Sequence, residues 1–290
     1  MQLSTSPLQA HVESWKPGSV TCEDPLLPGP VAALSALLDR AEPIADSGAP
    51  LPALWHWLYF LDWPAQRDLG PDGHPAHGQF LPPVPDRKRM FAGGRCTVSE
   101  PLRLGEAAER ISSVESVEVK HGRTGELLFV TQRHEYRQRG RTCLVEEQDI
   151  VYRSGRGLTR SAPPALEASS EPKADDAWQL SLRPDPPLLF RFSALTSNAH
   201  RIHYDLPYAR DEEGYPGLVV HGPLLVLLMM DLVRRNAPAR QVRSVAYRLR
   251  SPVFAGERLL AAGTPVGGRT ELRIASGREA RHAGAEVAFA

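Results

Sequence analysis

The sequence predicts an α+β protein in which two antiparallel sheets each wrap a central helix. Three observations lead there: a helix candidate with no polar stripe, two sets of strand-like runs, and a partial internal repeat. The helix candidate is Pro223-Leu-Leu-Val-Leu-Leu-Met-Met-Asp-Leu-Val233, apolar almost all round and therefore expected to be buried on every side. Pro223 suits the first helical position, and Gly222 lets the chain turn tightly into it.

The strand-like runs of the first half are Val114 to Val119, Leu127 to Arg137 and Thr142 to Arg153, with turns at Gly122 and Gly140. Those of the second half are Val242 to Leu249, Glu271 to Ala275 and Ala283 to Ala290. Val245, Tyr247 and Leu249 alternate with Ala246, Arg248 and Arg250, the period-2 pattern of a half-buried strand. The repeat pairs Pro101-Leu-Arg-Leu-Gly-Glu106 with Pro252-Val-Phe-Ala-Gly-Glu257, each followed by a turn at Gly122 or Gly268. In the first half, Trp55-His-Trp-Leu-Tyr-Phe-Leu-Asp-Trp63 is the counterpart of the buried helix, as a helix or a pocket wall. Its aromatics read as core more readily than as a ligand cage. Residues 154–185 are rich in Pro, Gly and Ser and predict a linker between residues 1–153 and 186–290.

A chain of 290 residues buries a core without staples. Lys+Arg and Asp+Glu are 34 each, so no net field favours nucleic acid or an acidic membrane. No apolar run approaches the roughly 18 to 20 residues that cross a bilayer, and Met1-Gln-Leu-Ser-Thr-Ser-Pro7 is unlike a secretory signal. Cys22, Cys96 and Cys143 are an odd, widely spaced set, which fits neither a disulfide framework nor a zinc site. A soluble, reduced, cytoplasmic protein is expected.

The most specific segment is Asn198-Ala-His-Arg-Ile-His-Tyr-Asp205, followed by Tyr215-Pro-Gly-Leu-Val-Val-His-Gly-Pro223. His200 and His203, like His74 and His77, have a His-x-x-His spacing, but neither pair has further ligands nearby, so no metal is expected. Acid–base chemistry fits better, because an imidazole takes and returns a proton near neutral pH. Asn198 can hold a water opposite His203 by its amide. Gly222 can offer a backbone N–H to a thioester oxygen, with the helix dipole adding positive potential for a developing enolate. The plain alternative is a set of structural histidines at turns.

The stretch 198–230 resembles the MaoC-like, or (R)-specific enoyl-thioester hydratase, family of hotdog proteins, whose signature runs Asp-x-Asn-Pro-(Ile/Leu)-His-x-Asp. Asn198 falls at the catalytic Asp, His200 at the Asn, Arg201 at the Pro, His203 at the catalytic His and Asp205 at the final Asp. The whole chain is more similar to one branch, which includes mesaconyl-C4-CoA hydratases, itaconyl-CoA hydratases and mitochondrial 3-hydroxyacyl-thioester dehydratases. The segments that carry this likeness are Leu54 to Phe60, Gly70 to Pro75, Phe80 to Val84, Arg89 to Arg95, Asn198 to Asp205 and Gly214 to Pro223. The Asn-x-His-Arg-Ile-His-Tyr form looks normal for that branch.

The resemblance implies a double hotdog: a non-catalytic hotdog over 1–153, a linker, and a catalytic hotdog over 186–290 that holds one active site. It implies reversible addition of water to a short enoyl-CoA, with itaconyl-CoA or mesaconyl-C4-CoA giving citramalyl-CoA. An amide is no base, so His203 is expected to take the water proton and to return one to the α-carbon. Arg201, Tyr204 and His221 are candidates for substrate contact. Arg87, Lys88, Arg89 and Arg95 are candidates for the phosphates of coenzyme A, since guanidinium forks suit phosphate. The cofactor expectation is none, coenzyme A being part of the substrate, and a homodimer is expected. The rivals are a (3R)-hydroxyacyl-thioester dehydratase on unsubstituted chains, a hotdog acyl-CoA thioesterase and a non-catalytic acyl-thioester binder.

Overall fold

A computed structural model describes residues 7–40, 46–122, 125–153, 172 and 174–290. In chain order the first half holds α1 (Pro7–Val12), β1 (Val20–Asp24), α2 (Pro28–Leu37), β2 (Lys88–Val98), β3 (Ala108–Gly122), β4 (Gly125–Gln138) and β5 (Arg141–Arg153). The second half holds β6 (Trp178–Leu182), α3 (Pro186–Leu195), α4 (Gly222–Asn236), β7 (Val242–Leu249), β8 (Leu259–Val266), β9 (Arg269–Ser276) and β10 (Ala283–Phe289). Short 3-10 turns cover Trp55–Leu58 and Arg201–His203.

The ten strands among the described residues form one antiparallel sheet in the order β1-β3-β4-β5-β2-β7-β10-β9-β8-β6. Each half therefore repeats one strand order, and the two five-stranded units meet edge to edge where β2 pairs with β7. This is a double-hotdog α+β fold. The sheets expected as two are thus continuous. The loops that echo each other in sequence are also equivalent in structure. Gly105 (φ 74°) and Gly256 (φ 90°) close matching turns, donating their N–H groups to Leu26 and Pro184 respectively.

Among the central segments the halves differ. In the second, α4 is buried from Leu224 to Val233 and packs against β6, β8, β9 and β10. Its all-apolar surface leaves it no stable position except inside the curl of the sheet. Asp231, fully buried, is answered by Arg40 and by Arg235, whose Nε donates at 2.6 Å, so α4 is tied to the end of α2. In the first half the aromatic segment makes only the turn Trp55–Leu58. Trp55, Leu58, Tyr59 and Phe60 are buried core, Trp57 is half-buried, and Trp63 is 76% exposed.

The strands expected at Val114, Leu127, Thr142, Val242, Glu271 and Ala283 are β3, β4, β5, β7, β9 and β10. Of the connector 154–185, residues 154–171 and 173 lie outside the described residues. Its far end is a strand: Trp178, Leu180 and Leu182 pack toward the core and β6 pairs with β8. No helix among the described residues is long and apolar enough to cross a membrane.

Two glycines make the central junction possible. A Cβ on Gly93 would stand 2.6 Å from the carbonyl oxygen of Tyr247, and one on Gly94 2.5 Å from that of Glu147 and from the Tyr247 hydroxyl. That hydroxyl donates to the fully buried Glu146 at 3.3 Å, which also binds His56 Nε2 at 2.9 Å and accepts from Trp57 Nε1 at 2.8 Å. Trp57, Phe91 and Tyr247 form an aromatic wall at the junction, with ring centroids 5.6 to 6.1 Å apart.

Candidate active site

The motif begins where α3 stops. Asn198 donates its backbone N–H to Ser193 at 2.9 Å, and its side-chain oxygen accepts the His200 N–H at 3.0 Å. That Asx turn uses the amide oxygen, so the NH2 end is the part left to face a water. The chain then makes the 3-10 turn Arg201–His203. Ile202 accepts the Val219 N–H at 2.9 Å, while His203 Nδ1 lies 2.7 Å from the Val219 carbonyl oxygen.

A carbonyl only accepts, so the proton of His203 sits on Nδ1 and Nε2 carries the free lone pair. The ring is 6% exposed. Burial pulls its pKa down to about 4 against the opposing pull of the Val219 bond, with the charge of His74 adding to the fall. At neutral pH His203 is a neutral imidazole held in one orientation.

Three further imidazoles surround it. His221 stacks on His203 at 3.7 Å and 20° between planes, with its Nε2 2.8 Å from Ser193 Oγ. Burial, then His203 and His200, hold His221 well below the ordinary histidine range. His200 meets His203 edge-on at 5.4 Å and His74 at 4.0 Å. Burial, then His74 and His203, bring His200 down to about 2.

His74 comes from the first half, 126 residues before His200 in sequence. Its Nδ1 lies 2.9 Å from Asp72 Oδ2. Burial pushes the Asp72 carboxyl up, but the hydrogen bonds and charge of His74 outweigh it and hold the group at about 2. The loop 70–75 is docked firmly: Asp72 accepts the Arg201 N–H at 2.9 Å and Pro71 accepts from Arg201 Nη1 at 2.9 Å. Gly73 (φ 89°) lies so close to the motif that an added Cβ would be 1.9 Å from the Ala199 carbonyl oxygen. Asp72, His74 and His200 place possible ligand atoms within 4.8 Å of one another, so one histidine from each His-x-x-His pair gains a carboxylate neighbour that the spacing alone did not show.

Gly222 opens α4, and its neighbour His221 provides no side-chain cap, so the first N–H groups point out of the helix end. A Cβ at Gly222 would meet Leu249 Cδ1 at 2.4 Å and Phe91 Cδ1 at 3.7 Å, so the helix start abuts the aromatic wall. Asn198, His203 and Gly222 thus all lie on segments that converge around Val219 and the start of α4.

The remaining expected residues divide. Arg89, exposed, lies on the same face of β2 as Phe91 and within electrostatic reach of His200. Arg95 is on the opposite face: it pairs with Glu147 and Asp149 and lines an outer cleft of about 270 Å³ with Thr97, Ser244 and Glu286. Strand alternation after the bulge at Gly93 turns it away, so its assignment to the substrate is corrected. Arg201 binds Asp205 through Nε at 2.9 Å and Nη2 at 2.8 Å and lies over the Tyr208 ring at 4.1 Å. Three of its N–H groups are bonded within the chain, so it braces the motif. Asp205 is equally occupied, accepting the Tyr208 N–H as well. Tyr204 is 46% exposed and donates to the Ala199 carbonyl at 2.9 Å. His221 is 1% exposed and its ring is stacked on that of His203. Arg87 donates to Pro82 and Ala76, and Lys88 pairs with Glu213, so of the basic run only Arg89 turns toward the histidines.

Buried neutral imidazoles make stability pH-dependent. The folded chain holds His203 and, in the first half, His134 at about 4, whereas the unfolded chain protonates them at about 6.5. Between those values the unfolded state binds more protons, so stability falls as pH drops through that window. Melting temperature is expected to decline from pH 6.5 to 4; an unchanged value across it would contradict the burial of neutral rings.

The profile of the hydroxyacyl-thioester dehydratase type 2 family matches residues 54–255. The chain is 45% identical over 261 residues to the mesaconyl-C4-CoA hydratase of Chloroflexus aurantiacus, covering 89% of this chain and 91% of that protein. It is 27% identical over 270 residues to the mitochondrial hydroxyacyl-thioester dehydratase type 2 of Schizosaccharomyces pombe, covering 83% and 88%. A MaoC-like dehydratase from Phytophthora capsici superposes with a TM-score of 0.68 at 13% identity, covering 97% of this chain and 98% of the other.

Proposed function

The chain belongs to the hydroxyacyl-thioester dehydratase type 2 family, and from that premise we propose a branched C5 dicarboxylic enoyl-CoA as its substrate. It is a hydro-lyase of the enoyl-CoA hydratase class. Itaconyl-CoA or mesaconyl-C4-CoA would accept water and give citramalyl-CoA. No cofactor is called for beyond the coenzyme A of the substrate, and a cytoplasmic homodimer is the assembly and setting that go with the reading.

The observation that carries the chemistry is the buried His203, neutral and held with Nε2 free by Val219. His203 takes a proton from a water held by the Asn198 amide, and the hydroxide bonds to the β-carbon. The electron pair of the double bond moves through the α-carbon to the thioester oxygen, where the Gly222 N–H and the start of α4 meet the charge. The α-carbon then takes a proton. Arg201 and Tyr204 keep the motif in shape, His221 backs the base, and Arg89 is the cation suited to a free carboxylate.

The aromatic wall of Trp57, Phe91 and Tyr247 favours a second reading, a dehydratase acting on unsubstituted chains. One experiment separates them. Purified protein is mixed with itaconyl-CoA, mesaconyl-C4-CoA or crotonyl-CoA while thioester conjugation and free thiol are followed. Hydration of a C5 diacid and neglect of crotonyl-CoA is expected. The reverse preference selects the dehydratase, and thiol release selects hydrolysis.

A further inference from the structure

We propose that His74, held by Asp72 and supplied by the half of the chain that lacks the motif, donates the proton to the α-carbon. The inference rests on the hydratase reading above. Hydration needs one group to take a proton from water and a source for the proton that ends on carbon. His203 serves the first need. Asn198 cannot serve the second, because an amide neither gains nor gives a proton near neutral pH.

The structure puts a carboxylate–histidine pair beside the site. Asp72 Oδ2 accepts the Nδ1 hydrogen of His74 at 2.9 Å, which leaves Nε2 as the exchangeable position. The His74 ring lies 4.0 Å from His200, and its charge is felt by both His200 and His203. His74 remains 22% exposed against 6% for His203, so it is the more readily reprotonated from solvent. The loop is built for this position. Gly73 permits the approach to Ala199, and the backbone and side chain of Arg201 clamp Asp72 and Pro71.

The step balances. His203 Nε2 gains the water proton, the hydroxide oxygen bonds to the β-carbon, and the π pair becomes the enolate. The enolate collapses as the α-carbon takes the proton from His74 Nε2. His74 is left neutral on Asp72, and solvent exchange returns a proton to His74 and removes one from His203. The groups around His74 are Asp72 of its own loop and His200 and His203 of the motif, with Arg89 acting on His200 and Tyr208 on Asp72 next to these.

The test uses the full chain and mesaconyl-C4-CoA, with crotonyl-CoA as second probe. His74→Gln is expected to lower kcat by ~100-fold, the scale of a lost acid–base group, with KM within about threefold. Its pH–rate profile should differ from that of the wild type but keep the acidic limb, which reports protonation of His203. Asp72→Asn should lower kcat by ~10-fold, as loss of an orienting partner does. Added imidazole should restore part of the rate of His74→Ala, an effect that a merely structural role would not produce.

An active wild type, an inactive His203→Ala and a His74→Gln of normal rate and profile would overturn this inference and leave the hydratase reading standing. A wild type that hydrates none of mesaconyl-C4-CoA, itaconyl-CoA and crotonyl-CoA would overturn both. One divalent cation per chain, retained through gel filtration and lost in His200→Ala, would also overturn it by making Asp72, His74 and His200 ligands.

Discussion

Replacing His203 with alanine is expected to lower kcat for hydration by at least ~100-fold while the fold persists. The ring makes one hydrogen bond, to Val219, and one stack, on His221, so its loss leaves a small cavity and no unpaired charge. The turn that carries it stays anchored by the Val219 N–H to Ile202 and by Arg201 on the loop 70–75. Steady-state kinetics with the preferred enoyl-CoA, alongside a melting curve, decides the matter. A folded variant of normal rate would remove His203 from the chemistry, and with it the reason for placing the site at the start of α4.

Gly73→Ala should be nearly as damaging, although position 73 lies in the half without the motif. Its φ of 89° is strained for any side chain, and its Cβ would fall 1.9 Å from a backbone oxygen that cannot swing aside. The loop must retreat from the motif, at a cost of about 2–3 kcal/mol in backbone strain and lost contacts. We expect a melting temperature lower by several degrees and a rate lower by ~10-fold or more, because Asp72 and His74 retreat with it. Gly78→Ala is the control: its nearest neighbour is the flexible end of Leu81 at 3.2 Å. Equal behaviour of the two variants would show that the close approach of the loop is unimportant.

The contiguous part of the candidate site could be proposed from sequence because Asn198, His203 and Gly222 lie within 25 residues of one another. The helix was legible because α4 is apolar on all sides, and β4, β5 and β7 because their residues alternate. The strand β8 hid because Leu259 to Gly263 are buried on both faces, and β1 and β6 because five residues show too little pattern. His74 looked like half of a short pair with His77 in a Gly/Pro-rich loop, and Asp72 carried no signal of its own. Their meaning depends on a contact spanning about 130 residues, which no local pattern encodes. Arg95 was misplaced for a related reason: a run of basic residues does not say which face of a strand each one takes, and the bulge between Phe91 and Gly93 resets the alternation.

The seam between β2 and β7 also bears on solubility. In a lone five-stranded unit, β2 with eleven residues or β7 with eight would end the sheet as a long unpaired margin, the sort of edge that recruits strands from other molecules. Joining the two units satisfies both margins against each other. What remains at the extremities is β1 and β6, five residues each, and the exposed Glu23 and Arg183 lie at or just beyond their ends. Duplication within one chain thus gives this enzyme a built-in protection against fibrillar stacking that neither unit would have by itself.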